Sequence, residues 1–299
     1  MKAGLAIGAA FLAIAPAAGA APDYVNEEPV RVIGYDDDLM EPFVSRDGTT
    51  LFFNNNNSPG DKTDLHYADA RQNGTFVYRG LVGGANSQKL DGVPTMDRDG
   101  NFYFVSTRAY GKTKSTIHSG AFAGGGVDHV RLVAGDLSLG KTFWFNMDVE
   151  ASADGNRLYS TDNRLRFLFG GGVNRSDLFV AERRGEAFFR AANTEAIFAN
   201  INTDKLEYAA AISPDELTIF FNRTDIKALH RKDIRGIGIY QATRADADGV
   251  FGKPIRIEAI TGFVEGPTVS SDGCVVYYHR KVAERFKLYK VTREDCLAD

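Results

Sequence analysis

A short motif recurs five times along the chain and constrains the fold before any other feature is weighed. Its copies read E-P-F-V-S-R-D-G-T-T-L-F-F from Glu41, V-P-T-M-D-R-D-G-N-F-Y-F from Val93, D-V-E-A-S-A-D-G-N-R-L-Y from Asp148, A-A-A-I-S-P-D-E-L-T-I-F-F from Ala209 and G-P-T-V-S-S-D-G-C-V-V-Y-Y from Gly266. Each sets an apolar stretch, a polar turn and an aromatic-rich run in the same order. The turn aspartates Asp47, Asp99, Asp154, Asp215 and Asp272 stand 52, 55, 61 and 57 residues apart. Repeats of that length holding several strands each are propeller blades. Asp-Gly between two β runs makes a hairpin turn, because Gly accepts a positive φ and the Asp side chain bonds its own backbone two residues on.

A third strand follows the second after a variable loop: D-L-H-Y-A from Asp64, D-L-F-V-A from Asp177, G-I-Y-Q-A from Gly238 and K-L-Y-K-V from Lys287. Repeat two is the least regular, with S-T-I-H-S from Ser115 and H-V-R-L-V from His129 flanking Gly124-Gly125-Gly126. A fourth, outer strand leads into the next turn. The last repeat supplies three strands only, and Pro29-Val30-Arg31-Val32 looks like Pro254-Ile255-Arg256-Ile257 ahead of the fifth turn. Residues 29–33 are therefore expected to complete the last blade and close the ring, leaving no free sheet edge. The expectation is an all-β, five-bladed β-propeller with four-stranded blades, closed by the N-terminal strand, as one domain over residues 21–299. A content of 21 Phe, 12 Tyr and 31 Gly with only 9 Pro suits many short strands joined by tight turns.

The pattern x-P-x-x-S-x-D-G followed by L/I-F/Y-F resembles the repeats of the TolB-like periplasmic propellers, and it covers essentially residues 29–291. That resemblance implies a periplasmic propeller whose face or central channel binds a protein, peptide or sugar.

Residues 1–20 read as a signal peptide, with Lys2, an apolar run over Leu5–Ile14 and a small-residue cleavage site at Ala18-Gly19-Ala20. A periplasmic or secreted, monomeric protein is expected. No stretch reaches the roughly 18 apolar residues of a membrane-spanning helix. The formal charge of −4 becomes −5 once Lys2 leaves, and this mild acidity without a long basic run argues against nucleic acid. Cys274 and Cys296 are expected to pair, as an even count in an exported chain does. The five His show no paired spacing for a metal, and no cofactor is expected.

First strands line the channel of a propeller, and acidic residues gather just ahead of the turns. Asp38 and Glu41 precede blade one and Asp91 blade two, Asp148 belongs to blade three, Glu207 to four and Glu265 to five. A second ring follows the second strands: Arg108, Arg164, Arg223 and Arg280. An Arg repeated at one blade position braces a neighbouring loop or contacts an anion. Gly135-Asp136-Leu137-Ser138-Leu139-Gly140-Lys141-Thr142 matches the phosphate-loop pattern, but the β-like Phe143-Trp144-Phe145 follows it where a helix is required. No nucleophile elbow occurs. The leading expectation is a non-catalytic binding or scaffold propeller whose acidic mouth takes a protein, peptide, sugar or cation. The alternative is a glycoside hydrolase with Glu41, Asp148 and Glu265 as its carboxylates, since hydrolysis needs two acids flanking the scissile bond.

Overall fold

The computed structural model describes residues 21–56, 62–72, 74–166, 172–226 and 236–297, and shows a ring of five antiparallel blades. Blade one holds Met40–Val44, Thr50–Asn54, Leu65–Ala70 and Phe76–Leu81, counted outward from the axis. Blade two holds Asp91–Met96, Asn101–Ser106, Ile117–Ala123 and Gly126–Leu132. Blade three holds Val149–Ala151, Arg157–Leu165, Val173–Arg184 and Ala187–Arg190. Blade four holds Leu206–Ile212, Thr218–Thr224, Ile237–Thr243 and Ile255–Arg256. Blade five is Val264–Val269, Val275–Val282 and Arg285–Arg293, completed by Tyr24–Pro29 from the other end of the chain. Each inner strand packs against the inner strands of its two neighbours in cyclic order, blade five against blade one included.

The repeated turn explains why the motif persists. Ser45 Oγ donates to Asp47 Oδ1 at 2.5 Å, Asp47 Oδ1 accepts the Thr49 amide at 3.0 Å, and Ser45 Oγ accepts the Thr50 amide at 2.9 Å. The same three bonds recur around Ser152 and Asp154, Ser213 and Asp215, and Ser270 and Asp272. Burial pushes the carboxyls of Asp47, Asp154 and Asp272 up, but these bonds to the ionised form outweigh it and hold all three below the usual range. In blade two Asp97 replaces the serine and takes the Asp99 and Asn101 amides itself, at 3.0 and 2.9 Å.

Second strands read as near-continuous apolar runs because both of their faces are covered. Leu51 and Phe53 face blade five while Phe52 faces blade two, and all three are fully buried. The core is accordingly five separate clusters, one at each blade-to-blade interface. Replacing one of these phenylalanines by Ala would cost about 3–5 kcal/mol.

The closing strand lies earlier than the sequence comparison placed it. Tyr24–Pro29, not residues 29–33, pairs with Arg285–Arg293, and the Val30 amide adds one more bond to Leu288 O at 2.9 Å. Val32–Ile33 instead runs parallel to Phe76–Leu81 of blade one. The cause is packing: Tyr24 drops into the interface of blades four and five, edge-on to Phe220 with centroids 5.6 Å apart. The disulfide Cys274–Cys296 is formed, with Cα atoms 5.9 Å apart, and it ties the end of blade five's third strand to the start of its second. Residues 1–20 lie outside the described residues, and among the described residues no helix is long and apolar enough to cross a membrane.

Candidate active site at the axial mouth

Four inner strands carry a β-bulge shortly before the turn, seen as a register break between Met40 and Phe43, Gly92 and Thr95, Tyr208 and Ala211, and Glu265 and Thr268. The residue six places before the turn aspartate opens each bulge with a positive φ: Glu41 at 46°, Val93 at 53°, Ala209 at 52° and Gly266 at 63°. A bulge drops one residue out of the ladder and re-aims its side chain. Pro42, Pro94 and Pro267 follow in three copies, where a missing amide is tolerated because an inner strand has an edge and a bulge to place it in. In blade three the extra residue falls within 146–148, three residues opposite two, between the pairs Phe145 with Asn163 and Val149 with Ser160. All five of these positions, Asp148 included, line one axial cavity of about 20 Å³, the room of a single water.

Glu41 and Asp148, two of the acids that the alternative reading singled out, line that cavity with Glu150, and the third, Glu265, lies near enough for its charge to act on Asp148. Asp148 is buried, at 7% exposure. Its Oδ2 accepts from Thr161 Oγ1 at 2.8 Å, and the Ala209 amide of blade four bonds it as well. Burial pushes its carboxyl up to about 6, and the nearby charge of Glu265 adds to the effect, against those two hydrogen bonds. Glu265 Oε1 accepts from Tyr208 Oη at 2.6 Å, and its Oε2 lies 3.6 Å from His279 Nε2. Glu41 enters from blade one: its amide donates to His279 Nδ1 at 3.0 Å, and its Oε2 lies 2.6 Å from where a Cβ on Gly266 would stand. Only the bare glycine leaves room for that carboxylate.

Tyr208 and His279 were not among the residues singled out from the sequence. Burial and the charges of Glu265, Glu41 and Asp148 hold the Tyr208 hydroxyl protonated, so it donates to Glu265 across the working pH range. Because His279 Nδ1 accepts the Glu41 amide, the ring's hydrogen sits on Nε2, which lies 3.6 Å from Glu265 Oε2. Aligning the repeats would have exposed Tyr208, since it occupies in blade four the position that Glu265 occupies in blade five, seven before the turn.

The other acids go elsewhere. Asp91 is fully buried and binds the Ser87 amide and hydroxyl, at 2.5 and 2.7 Å, and Arg108 at 2.5 Å. Glu207 repeats this with Thr203, at 3.1 and 2.6 Å, and Arg223 at 2.8 Å. The cause is a second repeated segment, Asn86-Ser87-Gln88-Lys89-Leu90-Asp91 and Asn202-Thr203-Asp204-Lys205-Leu206-Glu207, in which the Asn side chains bond the backbone of Leu65 and of Leu178. Arg108 and Arg223 also reach the carbonyls of Ala85 and of Ile201, so each pins the loop that enters its blade. Arg280 binds Glu27 at 2.6 Å and Arg164 sits 6.0 Å from the Trp144 ring centroid. Asp38 accepts the Phe286 amide at 3.0 Å. Glu150, four before its turn, lines the same cavity but accepts from Arg46 and from Thr95 Oγ1, both at 2.7 Å, a buried strut between blades one, two and three. Among the described residues no group of three His, Cys, Asp or Glu is arranged to hold a metal ion.

No family model matches this chain, and no curated protein matches it in sequence. Solved structures do match its fold. A glycoside hydrolase superposes with a TM-score of 0.61 at 12% identity, over 91% of this chain and 92% of its own. A family 117 glycoside hydrolase of Zobellia galactanivorans does so at 0.57 and 8%, over 90% of each chain. The catalytic domain of an α-L-arabinofuranosidase of Coprinopsis cinerea gives 0.55 and 10%, over 92% of this chain and 98% of its own. At these identities the similarity carries the fold, a propeller. Of the TolB-like resemblance of the repeats, the propeller fold is the part these structures bear out. The expectation of a non-catalytic binding or scaffold propeller is corrected here: solved structures that share this ring over nine-tenths of both chains are glycoside hydrolases.

Proposed function

We propose that the protein is an exported glycoside hydrolase acting through the acids of its axial mouth. The observation that carries this reading is Asp148: a carboxyl pushed up to about 6 by burial, lining one cavity with Glu41 and within reach of the Glu265 charge. Hydrolysis of a glycosidic bond needs an acid that still holds a proton near neutral pH and a carboxylate across the sugar from it. Asp148 gives its proton to the departing glycosidic oxygen. Across that one-water cavity Glu41 either takes the proton of a water whose oxygen attacks the sugar carbon, or bonds that carbon itself as the glycosidic bond breaks, a water deprotonated by Asp148 then releasing the sugar. Glu265 contributes charge that keeps the proton on Asp148, and the Tyr208 hydroxyl holds Glu265 in place. Hydrolysing neighbours with the same ring support the assignment. The TolB-like repeat sequence is accounted for by the turn bonds, which any such ring needs whatever its mouth does.

A panel of aryl glycosides tests the proposal with wild type, Glu41→Gln and Asp148→Asn. Turnover lost in both variants, with circular dichroism unchanged, is the expected result. Wild type inert on every glycoside, or variants as active as wild type, would refute it. The anomer first released, read by NMR, distinguishes attack by Glu41 itself from attack by water.

A further inference from the structure

The rim beside Asp148 carries an aromatic surface for which the three acids have no use. Between the outer strand of blade two and the inner strand of blade three, the chain leaves Leu139, Phe143 and Met147 exposed at 36, 49 and 37%. Tyr110, from the loop after blade two's second strand, stacks on Phe145 with centroids 4.0 Å apart and planes at 17°. Its hydroxyl accepts the Phe143 amide at 3.1 Å. Phe143 has a φ of 70°, a conformation that costs a bulky residue on the order of 1–3 kcal/mol. Backbone strain that keeps an aromatic ring half in water, inside a contiguous apolar rim, is a mark of a ligand groove. Trp144 stands next in the chain, beside the Arg164 guanidinium.

The rim adjoins the mouth along the chain. Met147 is the residue before Asp148, and Trp144 is four before it. An extended chain spans at most ~3.6 Å per residue, so the Trp144 Cα lies within about 14 Å of that of Asp148. A short oligosaccharide covers such a span. One face of a sugar ring presents only C–H groups, which match the electron-rich face of an aromatic ring, while the hydroxyls at its edge need donors such as a guanidinium.

Resting on the glycoside hydrolase reading of the mouth, we propose that the rim formed by Phe143, Trp144 and Met147, braced by Tyr110 and Phe145, is a sugar-stacking platform. The substrate is then an oligosaccharide: one ring sits over Asp148 while a neighbouring ring lies on Trp144 and Phe143, with Arg164 bonding its hydroxyls. A single-ring glycoside reaches the acids but leaves the platform empty.

Trp144 is the only tryptophan in the chain, so its emission reports on the platform without interference. Arabinan-derived oligosaccharides of one to five units are titrated into full-length Glu41→Gln protein, which binds without turnover. A blue shift that grows with chain length, and affinity at least tenfold higher for the longer members than for the monosaccharide, is expected. By calorimetry, Trp144→Ala or the milder Phe143→Ser on the same background should each lose about tenfold in affinity for the longer oligosaccharides. Emission and affinity that do not respond to chain length, while aryl glycosides are still hydrolysed, would overturn the platform and leave the mouth reading intact. Absence of both binding and turnover would overturn both. Emission that changes with protein concentration alone, with self-association by light scattering, would make the rim an interface between copies and also overturn the proposal.

Discussion

Asp148→Asn separates the cost of this site to folding from its use in catalysis. Asp148 is buried, and its carboxyl lies near 6 against 3.8 for an unperturbed aspartate. In the unfolded chain the group ionises as pH rises past about 4, whereas in the native protein it keeps its proton until about 6. Between those values the native state binds more protons than the unfolded one, so stability falls as pH rises through the window and stays lower above it. At 1.36 kcal/mol per unit, the gap of about two units corresponds to about 3 kcal/mol of destabilisation at pH 7. Asparagine has nothing to ionise, and its carbonyl oxygen can still accept from Thr161 and the Ala209 amide. The variant should therefore be more stable than wild type at pH 7 by up to about 3 kcal/mol, and close to it at pH 4. For a chain of this length that is a rise in Tm of about 5 °C. Denaturant melts of both proteins at half-unit steps from pH 4 to 8 read the difference, and turnover should vanish in the same variant. A stability difference that does not change between pH 4 and pH 6.5, or a variant less stable than wild type at pH 7, would refute the assignment of a protonated, strained acid.

Three further outcomes follow from other contacts. Gly266→Ala should lower turnover at least tenfold while costing only about 1 kcal/mol of stability, because its Cβ would meet Glu41 Oε2 at 2.6 Å and its φ of 63° is one that Ala adopts at modest cost; kinetics and a thermal melt on one preparation check both halves. Glu150→Gln should destabilise by about 3–5 kcal/mol, since it leaves the Arg46 guanidinium buried without its charge partner, whereas the double variant Arg46→Met with Glu150→Met should lose less than the single one, as denaturant melts would show. Cys274→Ser with Cys296→Ser should lose about 3 kcal/mol, and reductant should bring wild type to the same midpoint without changing the variant.

The parts legible in the sequence are those that every blade must repeat. Ser45, Asp47 and their counterparts make the same local bonds in four copies, and the apolar runs behind them are read easily because both faces of a second strand are buried. Those signals located the blades, the turns and the disulfide. The closing strand was displaced by several residues because an outer strand carries little pattern: Tyr24–Pro29 is mostly exposed, and what places it is the long-range packing of Tyr24 on Phe220. The acids divided in the same way. Glu41, Asp148 and Glu265 stand at positions where the repeat imposes no residue, so an acid there is free to serve the mouth. Asp91 and Glu207, equally acidic to the eye, each sit in a copy of a second repeated segment and belong to its loop brace. No periodicity in the sequence reveals that His279, on a second strand, reaches the axis; a bulge in the neighbouring inner strand opens the gap through which it meets the Glu41 amide.

The divergence of that one position is what turns a symmetric ring into a directed site. Six before the turn the five blades present Glu41, Val93, Asp148, Ala209 and Gly266, so no two neighbouring blades place an acid there. Blade five contributes Glu265 one residue earlier, beside Glu41, and His279 lies between them, taking the Glu41 amide on one nitrogen and facing Glu265 with the other. Blade three holds Asp148, among Thr161 and the Ala209 backbone, with Glu150 beside it tied up by Arg46 and Thr95. Two acids on one wall and a proton-bearing acid on the other create a polarity across the axis that five equal blades could not have. A glycosidic bond entering over the rim near Met147 would present its leaving oxygen to Asp148 and the far face of its sugar to Glu41, which is the direction hydrolysis requires.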